Sequence, residues 1–244
     1  MTTIRHYVSA ALLVGVAVTV FGQGVVIIQH SGANSPLTEG WRGGGGYPVT
    51  NDLGVNAWST PGRNNGAANY EYSLTTQQQA SLANGWVFSV NARVATLNAN
   101  PNYFGAVLLG TASNDVLLYF GSTASGDPLA NLNYGPELEI TNSFTLAGAG
   151  MTYNLYQFIY DSSSDMLSFW INGSEYATNV PAPAGLSDVI WQGGGSPQYT
   201  LVNWNLVSLE IVPEPSAVSL LFLGSGALVC LRLRRRAGKT QSRR

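Results

Sequence analysis

Apolar and polar side chains alternate with a period of two from Gly85 to Thr96. Successive side chains of a strand point to opposite faces, so this period predicts a long strand with one buried face. No stretch between the two ends of the chain keeps a period of about 3.6 residues long enough for a long helix. These two patterns together predict an all-β fold. The predicted buried face consists of Trp86, Phe88, Val90, Ala92 and Val94, opposite Val87, Ser89, Asn91 and Arg93.

Similar short segments recur along the chain and are separated by turn-forming residues. Asn172-Gly173 lies between two apolar runs and predicts a hairpin, because both residues tolerate a positive φ. Thr75–Leu82 is expected to form one short helix. About ten strands without alternating helices predict a two-sheet sandwich. The further strands are predicted at Val25–Gln29, Asn69–Leu74, Phe104–Leu109, Val116–Phe120, Leu138–Ile140, Tyr153–Tyr160, Met166–Ile171, Ser174–Thr178, Val189–Gln192 and Asn203–Ile211.

Both ends of the chain carry an apolar run beside positive charge. Val8–Phe21 follows Arg5 and His6, so residues 1–24 are predicted to be a secretory signal peptide rather than a permanent membrane helix. Ala217–Leu231 is uncharged and predicts a short transmembrane helix, which spans about 22 Å against the roughly 30 Å of a hydrocarbon core. The basic residues that follow place this end in the cytoplasm. The β domain, residues 25–211, is therefore expected to lie outside the inner membrane.

The C-terminal segment has three parts in a fixed order. Val212, Pro213, Glu214 and Pro215 come first, then the apolar run, then a cluster of arginines. In this order they resemble the PEP-CTERM sorting signal of Gram-negative bacteria. The resemblance covers residues 212–236 and leaves residues 237–244 as a basic cytoplasmic tail. An ordinary tail anchor is the alternative. The arginine cluster consists of Arg232, Arg234, Arg235 and Arg236.

The PEP-CTERM resemblance implies a route of export. An exosortase in the inner membrane is expected to recognise the tail and to cut it near the Pro-Glu-Pro motif. The protein is then expected to leave its transient membrane anchor for the cell surface or the extracellular polysaccharide matrix. The implied partners are thus the exosortase, the inner membrane and an exopolysaccharide.

The β domain is acidic and poor in reactive side chains. It contains twelve acidic residues but only three basic ones, which makes it a poor match to nucleic acid. The single lysine, Lys239, and the single cysteine, Cys230, both lie in the C-terminal segment, so no Schiff base, phosphate-binding lysine or disulfide is expected in the domain. His30 is its only histidine and is expected to be structural. No cofactor is predicted.

A second resemblance concerns the fold. Gly85–Val90, Tyr103–Leu109, Val116–Phe120 and Tyr156–Tyr160, followed by Phe169–Gly173, resemble the strands of concanavalin-like and laminin-G-like jelly rolls. The likeness covers about residues 80–211 and rests on strand rhythm and the aromatic–Asn-Gly hairpin. It implies a jelly-roll sandwich and assigns no activity.

Two pairs of carboxylates suggest chemistry. Glu137 and Glu139 share one face of a strand, as in two-carboxylate glycosidases. The pattern is similar to that of laminarinase-like glucanases, but it has Glu139 where that family has Asp, and Asn142 at the third position, so no catalytic residue is carried over. Asp161 and Asp165 can be oxygen ligands of Ca²⁺ or simply form a hairpin turn.

Aromatic residues near the glycine-rich loops leave another choice open. These side chains can stack on sugar rings or fill the core of the sandwich. The residues concerned are Trp41, Tyr47, Trp58 and Trp191.

The sequence therefore predicts an exported, non-enzymatic surface or matrix protein whose jelly-roll domain binds polysaccharide. The alternative is a secreted carbohydrate-active enzyme, similar to a glycoside hydrolase, that uses Glu137 and Glu139.

Overall fold

The computed structural model describes residues 24–61, 68–96, 105–110, 115–122, 128–134, 140–145, 152–183, 185–193 and 201–212. Residues 1–23 of the predicted signal peptide, Glu137, Glu139 and everything after Val212 lie outside these ranges. Among the residues within them, no helix is long and apolar enough to cross a membrane.

The described chain is built almost entirely of strands. One α-helix, α1, covers Thr76–Ser81 and continues as a 3₁₀ turn at Leu82–Asn84; another 3₁₀ turn covers Pro36–Glu39. The strands are β1 (Val25–Ser31), β2 (Arg42–Gly44), β3 (Tyr47–Asp52), β4 (Val55–Pro61), β5 (Asn69–Ser73), β6 (Trp86–Thr96), β7 (Ala106–Gly110), β8 (Val116–Ser122), β9 (Pro128–Tyr134), β10 (Ile140–Thr145), β11 (Asn154–Asp161), β12 (Met166–Ile171), β13 (Ser174–Pro181), β14 (Asp188–Gln192) and β15 (Leu201–Ile211).

The strands form two antiparallel sheets that pack face to face. Sheet A has the order β13-β12-β11-β6-β15-β4-β3, with β1 also paired to β15. Sheet B has the order β10-β9-β8-β7-β14-β5-β2. Strands distant in sequence become neighbours, as β6 with β15 and β14 with β5. The predicted all-β, two-sheet jelly-roll sandwich is confirmed.

The core lies between the sheets and is rich in aromatic rings. On β6, the five predicted inward residues are all buried. Rings from sheet B meet rings from sheet A directly: Phe120 and Tyr156 have centroids 5.0 Å apart, and Trp191 and Trp204 are 5.3 Å apart. Alternation along each strand therefore supplies one wall of a shared core.

The short helix and the Asn-Gly hairpin that the sequence predicts are both present in the structure. Thr75 caps α1 in a reciprocal capping box with Gln78, which stabilises this short helix. Asn172 and Gly173 both have positive φ, 51° and 78°, as the hairpin turn between β12 and β13 requires. The Asn172 side chain also accepts a hydrogen bond from the Leu155 amide at 2.9 Å, which ties the turn to β11.

The sequence prediction misses three strands between Arg42 and Pro61. The run Gly43–Gly46, predicted as a loop, overlaps β2 at Gly43 and Gly44. The strand is missed because glycine has no side chain with which to show alternation. Its absence of a side chain is required here, since a Cβ at Gly43 would collide with the Asn69 carbonyl of β5. Of the predicted strand Leu138–Ile140 the structure describes Ile140 alone, and this residue begins β10, which runs to Thr145.

Candidate functional site

The outer face of sheet B presents ordered rows of side chains that cross the strands. Cross-strand partners point to the same side of a sheet, so the register fixes which residues are neighbours. The first row is mostly polar, and the second is apolar at its centre. The first row consists of Gly44, Asn69, Gln192, Ala106, Tyr119, Asn131 and Ser143. The second consists of Arg42, Glu71, Ile190, Leu108, Leu117 and Asn133.

A groove of about 290 Å³ crosses the middle of these rows. It spans β5, β14, β7 and β8, the central strands of sheet B. Ala106 is small and stands between the longer side chains of Gln192 and Tyr119, so the row dips there. The lining residues are Asn69, Ala106, Leu108, Asp115, Leu117, Tyr119, Ile190 and Gln192.

The groove combines an apolar floor with polar groups at its margins. Leu108, Leu117 and Ile190 come from three adjacent strands and provide the floor. At one end Asp115 lies beside Gly110, where a Cβ would be only 3.1 Å from the Asp115 Oδ1. Glycine at this position therefore leaves room for the carboxylate. A mostly apolar concave surface with a few placed polar groups is typical of a ligand-binding site.

The same strand that lines the groove anchors it to the core. Ile190 and Gln192 of β14 face the groove, while Trp191 between them points inward and is fully buried. Trp191 stacks on Tyr70 with centroids 4.6 Å apart and on His30 at 4.9 Å. This packing fixes β14, and through it the positions of the two groove residues.

The aromatic residues considered as a sugar platform lie mostly in the core. Trp41, Trp58 and Trp191 are all buried, so these three rings fill the core and do not form a platform for sugar rings. Tyr47 is the exception and is 43% exposed on β3 of sheet A. The sequence did not single out the groove residues Asn69, Tyr119 and Gln192, because only the strand register brings them together.

His30 is enclosed by the core and has a structural environment. Its Nδ1 lies 2.6 Å from Glu39 Oε2, and its ring also packs edge-on to Trp58. Burial lowers the pKa of His30, although the hydrogen bond and charge of Glu39 oppose this shift. The fully buried ring is thus closed to solvent, as expected for a structural histidine.

Asp161 ends β11, and Asp165 lies in the turn that leads to β12. Asp161 accepts hydrogen bonds from the Ser163 amide at 2.9 Å and the Ser163 hydroxyl at 2.7 Å, which, with one from Ser164, lower its pKa. Asp165 has a φ of 56° and accepts a hydrogen bond from Tyr160. The geometry is that of a hairpin turn, and Ca²⁺ binding stays the alternative. No group of three or more His, Cys, Asp or Glu that could hold a metal occurs in the described ranges.

A polar network that the sequence did not predict lies on the outer face of sheet A. Asp52, at the tip of the β3–β4 hairpin, accepts hydrogen bonds from Arg93, from the Tyr153 hydroxyl at 2.6 Å and from the Asn203 amide at 2.7 Å. These partners come from β6, from the residue before β11 and from β15. The network therefore holds the hairpin tip over the sheet.

The remaining predicted site residues lie outside the part of the chain that the structure describes. These are Glu137 and Glu139, which lie between β9 and β10, and Pro213, Glu214 and Pro215. The cluster of Arg232, Arg234, Arg235 and Arg236 also lies outside it. Val212 ends the described chain and is 42% exposed.

Solved structures with a similar fold include carbohydrate-related proteins. A carbohydrate esterase from the Shiga toxin-encoding bacteriophage phi24B has 14% identity and a TM-score of 0.58, over 78% of this chain and 100% of the esterase chain. Botulinum neurotoxin type C, whose cell entry depends on two ganglioside molecules, has 9% identity and a TM-score of 0.54, over 82% of this chain and 51% of the toxin chain.

The binding domain of botulinum neurotoxin DC in complex with SialylT is similar at 10% identity, with a TM-score of 0.54 over 82% of this chain and 51% of that chain. The present chain spans about half the length of these toxin chains. At such low identity the likenesses show the jelly-roll fold alone. No protein-family model and no curated protein match the sequence.

Proposed function

We propose that this chain is an exported bacterial surface or extracellular-matrix protein whose jelly-roll domain binds polysaccharide in the groove of sheet B. The observation that carries the proposal is the apolar floor of the groove with amide, phenol and carboxylate groups around it. A sugar ring has an apolar C–H face and hydroxyl edges, and this lining complements both.

The polar groups suit hydroxyl recognition. The side-chain amides of Asn69 and Gln192 each offer donors and an acceptor, as a sugar hydroxyl does. They are cross-strand partners, so they stand next to each other at one side of the groove. The ring of Tyr119 lies across Ala106 from Gln192 and offers a flat apolar surface with a polar end.

Two of the structural neighbours support the ligand class by analogy. One is a carbohydrate esterase, and the cell entry of another depends on interaction with two ganglioside molecules. A shared fold does not transfer an activity, so the chemistry of the groove and not the likeness carries the argument.

Export and sorting form the second part of the proposal. The order of Val212–Pro215, an apolar run and an arginine cluster favours delivery through an exosortase to the cell surface or matrix. The β domain is acidic and contains neither lysine nor cysteine, a composition that is consistent with an exported protein.

Sorting is tested by mass spectrometry of the protein recovered from the culture medium and from the membrane. We expect the secreted form to end near Val212–Pro215. An intact C-terminus that stays in the inner membrane would instead identify residues 217–231 as an ordinary anchor.

Polysaccharide binding is tested by affinity electrophoresis of the purified protein in gels that contain single polysaccharides. We expect retardation in at least one gel, and Gln192→Ala should weaken it about five- to tenfold, because a ligand hydrogen bond is worth about 1 kcal/mol. Gln157→Ala on the outer face of sheet A is the matched amide control and should have no effect. Equal loss in both variants would argue against the groove.

The enzymatic alternative keeps one specific observation in its favour. Glu137 and Glu139 connect β9 to β10, which are adjacent strands of the same sheet that bears the groove. Release of reducing ends from a bound polysaccharide, abolished by Glu137→Gln, would establish a glycoside hydrolase. A binding protein leaves the polysaccharide intact.

A further inference from the structure

We infer that the groove of sheet B accepts an uncharged polysaccharide and rejects chains that carry uronate or sulfate groups. This inference rests on the proposed function and concerns its ligand class. The groove is lined by eight described residues, which include one carboxylate, Asp115, and neither lysine nor arginine. An anionic chain in the groove would therefore meet a carboxylate, and the described lining offers it neither a lysine nor an arginine.

The surroundings of the groove reinforce this charge. Asp188 pairs with Gly110, the glycine that makes room for Asp115, so a second carboxylate belongs to the same end of the face. In the second row Glu71 pairs with Arg42, which places an acid beside the row's single base. Charges within about 10 Å act on one another at moderate salt, so Arg42 offsets Glu71, whereas the carboxylate of Asp188 adds to that of Asp115 near the groove.

The β domain has too few basic residues to reverse the negative potential that its carboxylates produce. Its three basic residues are Arg42, Arg63 and Arg93, against twelve acids. Arg93 belongs to the opposite sheet, where it donates two hydrogen bonds to Asp52. Recognition of a polyanion depends on clusters of arginine and lysine, and this domain has too few to form one.

A polycation is disfavoured for a different reason. Such a chain would carry a charge on each sugar, but most of the lining consists of alkyl, amide and phenol groups. These groups pair with hydroxyls and C–H faces rather than with ammonium ions.

The test is calorimetry with three oligosaccharides of equal length: a neutral glucan, an oligouronate and a de-N-acetylated amino-sugar chain. The full protein is titrated at roughly 20 and 200 mM salt, between which the Debye length changes severalfold. We expect the neutral glucan to bind best, with an affinity that changes less than twofold with salt. Gln192→Ala should weaken this binding, and Asp115→Asn should weaken it while reducing the discrimination against the uronate.

Different results would contradict the ligand class and the proposed function. If the oligouronate or the amino-sugar chain binds best, with a steep salt dependence and a loss in Gln192→Ala, the ligand class is wrong but the groove is confirmed as the site. If none of the three binds to a protein that circular dichroism shows to be folded, the proposed function itself is wrong.

Discussion

Replacing Trp191 by alanine is expected to lower the free energy of unfolding by about 3–5 kcal/mol, a large part of the roughly 5–15 kcal/mol that stabilises a typical domain. The ring is fully buried between the two sheets. It contacts Tyr70, His30, Trp204 and Trp41, with centroids 4.6 to 5.8 Å apart. Alanine would leave a cavity that these rigid rings cannot fill, and every stacking contact would be lost.

Urea unfolding followed by circular dichroism measures this change. Tyr47→Ala is the matched control, because it removes an aromatic ring from a position that is 43% exposed, and it should cost less than about 1 kcal/mol. Equal destabilisation by the two substitutions would show that Trp191 is not the centre of the core. If Trp191→Ala does not fold, Trp191→Phe should fold with an intermediate loss.

Asp52→Ala is expected to give the second large effect, about 2–3 kcal/mol. The substitution leaves the Arg93 guanidinium and the polar groups of Tyr153 and Asn203 without their shared acceptor. Removing one partner of a buried ion pair costs about 3–5 kcal/mol, and the side chains of Asp52 and Arg93 retain 11% and 15% exposure, which reduces this cost. Asp165→Ala, in an exposed turn, is the control.

The Asp52 network also predicts how stability depends on pH. Burial raises the pKa of Asp52, but the hydrogen bonds from Arg93, Tyr153 and Asn203 and the charge of Arg93 outweigh it, so the pKa lies below the usual 3.8. The unfolded chain therefore binds a proton more readily than the folded one. The stabilisation is complete above about pH 3.8 and is lost as the pH falls through the folded-state pKa.

Thermal unfolding from neutral to acidic pH tests this dependence. The difference between the wild type and Asp52→Asn should shrink as the pH falls below about 3.8 and through the lower folded-state pKa, because Asp52 then becomes protonated and is as uncharged as Asn. A difference that stays constant over this range would show that the charge of Asp52 does not stabilise the hairpin tip.

Local sequence patterns predict much of the sandwich because they report on backbone geometry and on burial. The alternation in β6 identifies its inward face, and Asn172-Gly173 identifies a hairpin turn. Both signals come from residues that are close in sequence. The strands β2 to β4 lack such a signal, since glycines hide the alternation of β2 and its partner β5 lies far along the chain.

The candidate site depends on relations that a sequence pattern does not contain. On β14, the one-residue difference between Trp191 and Gln192 decides which of them faces the groove, and the more conspicuous aromatic is the one that is buried. Ala106 and Tyr119 join Gln192 only through the register of three strands. Likewise, the Asp52–Arg93 pair joins residues 41 positions apart.

The central claim is that the outer face of sheet B binds sugar, and mapping of backbone amide shifts by NMR tests it most directly. On titration of the isotope-labelled protein with the neutral glucan, shifts are expected at Asn69, Ala106, Tyr119 and Gln192. Amides on the outer face of sheet A, such as that of Gln157, should not move. Saturable shifts confined to sheet A, or none at all, would contradict the account.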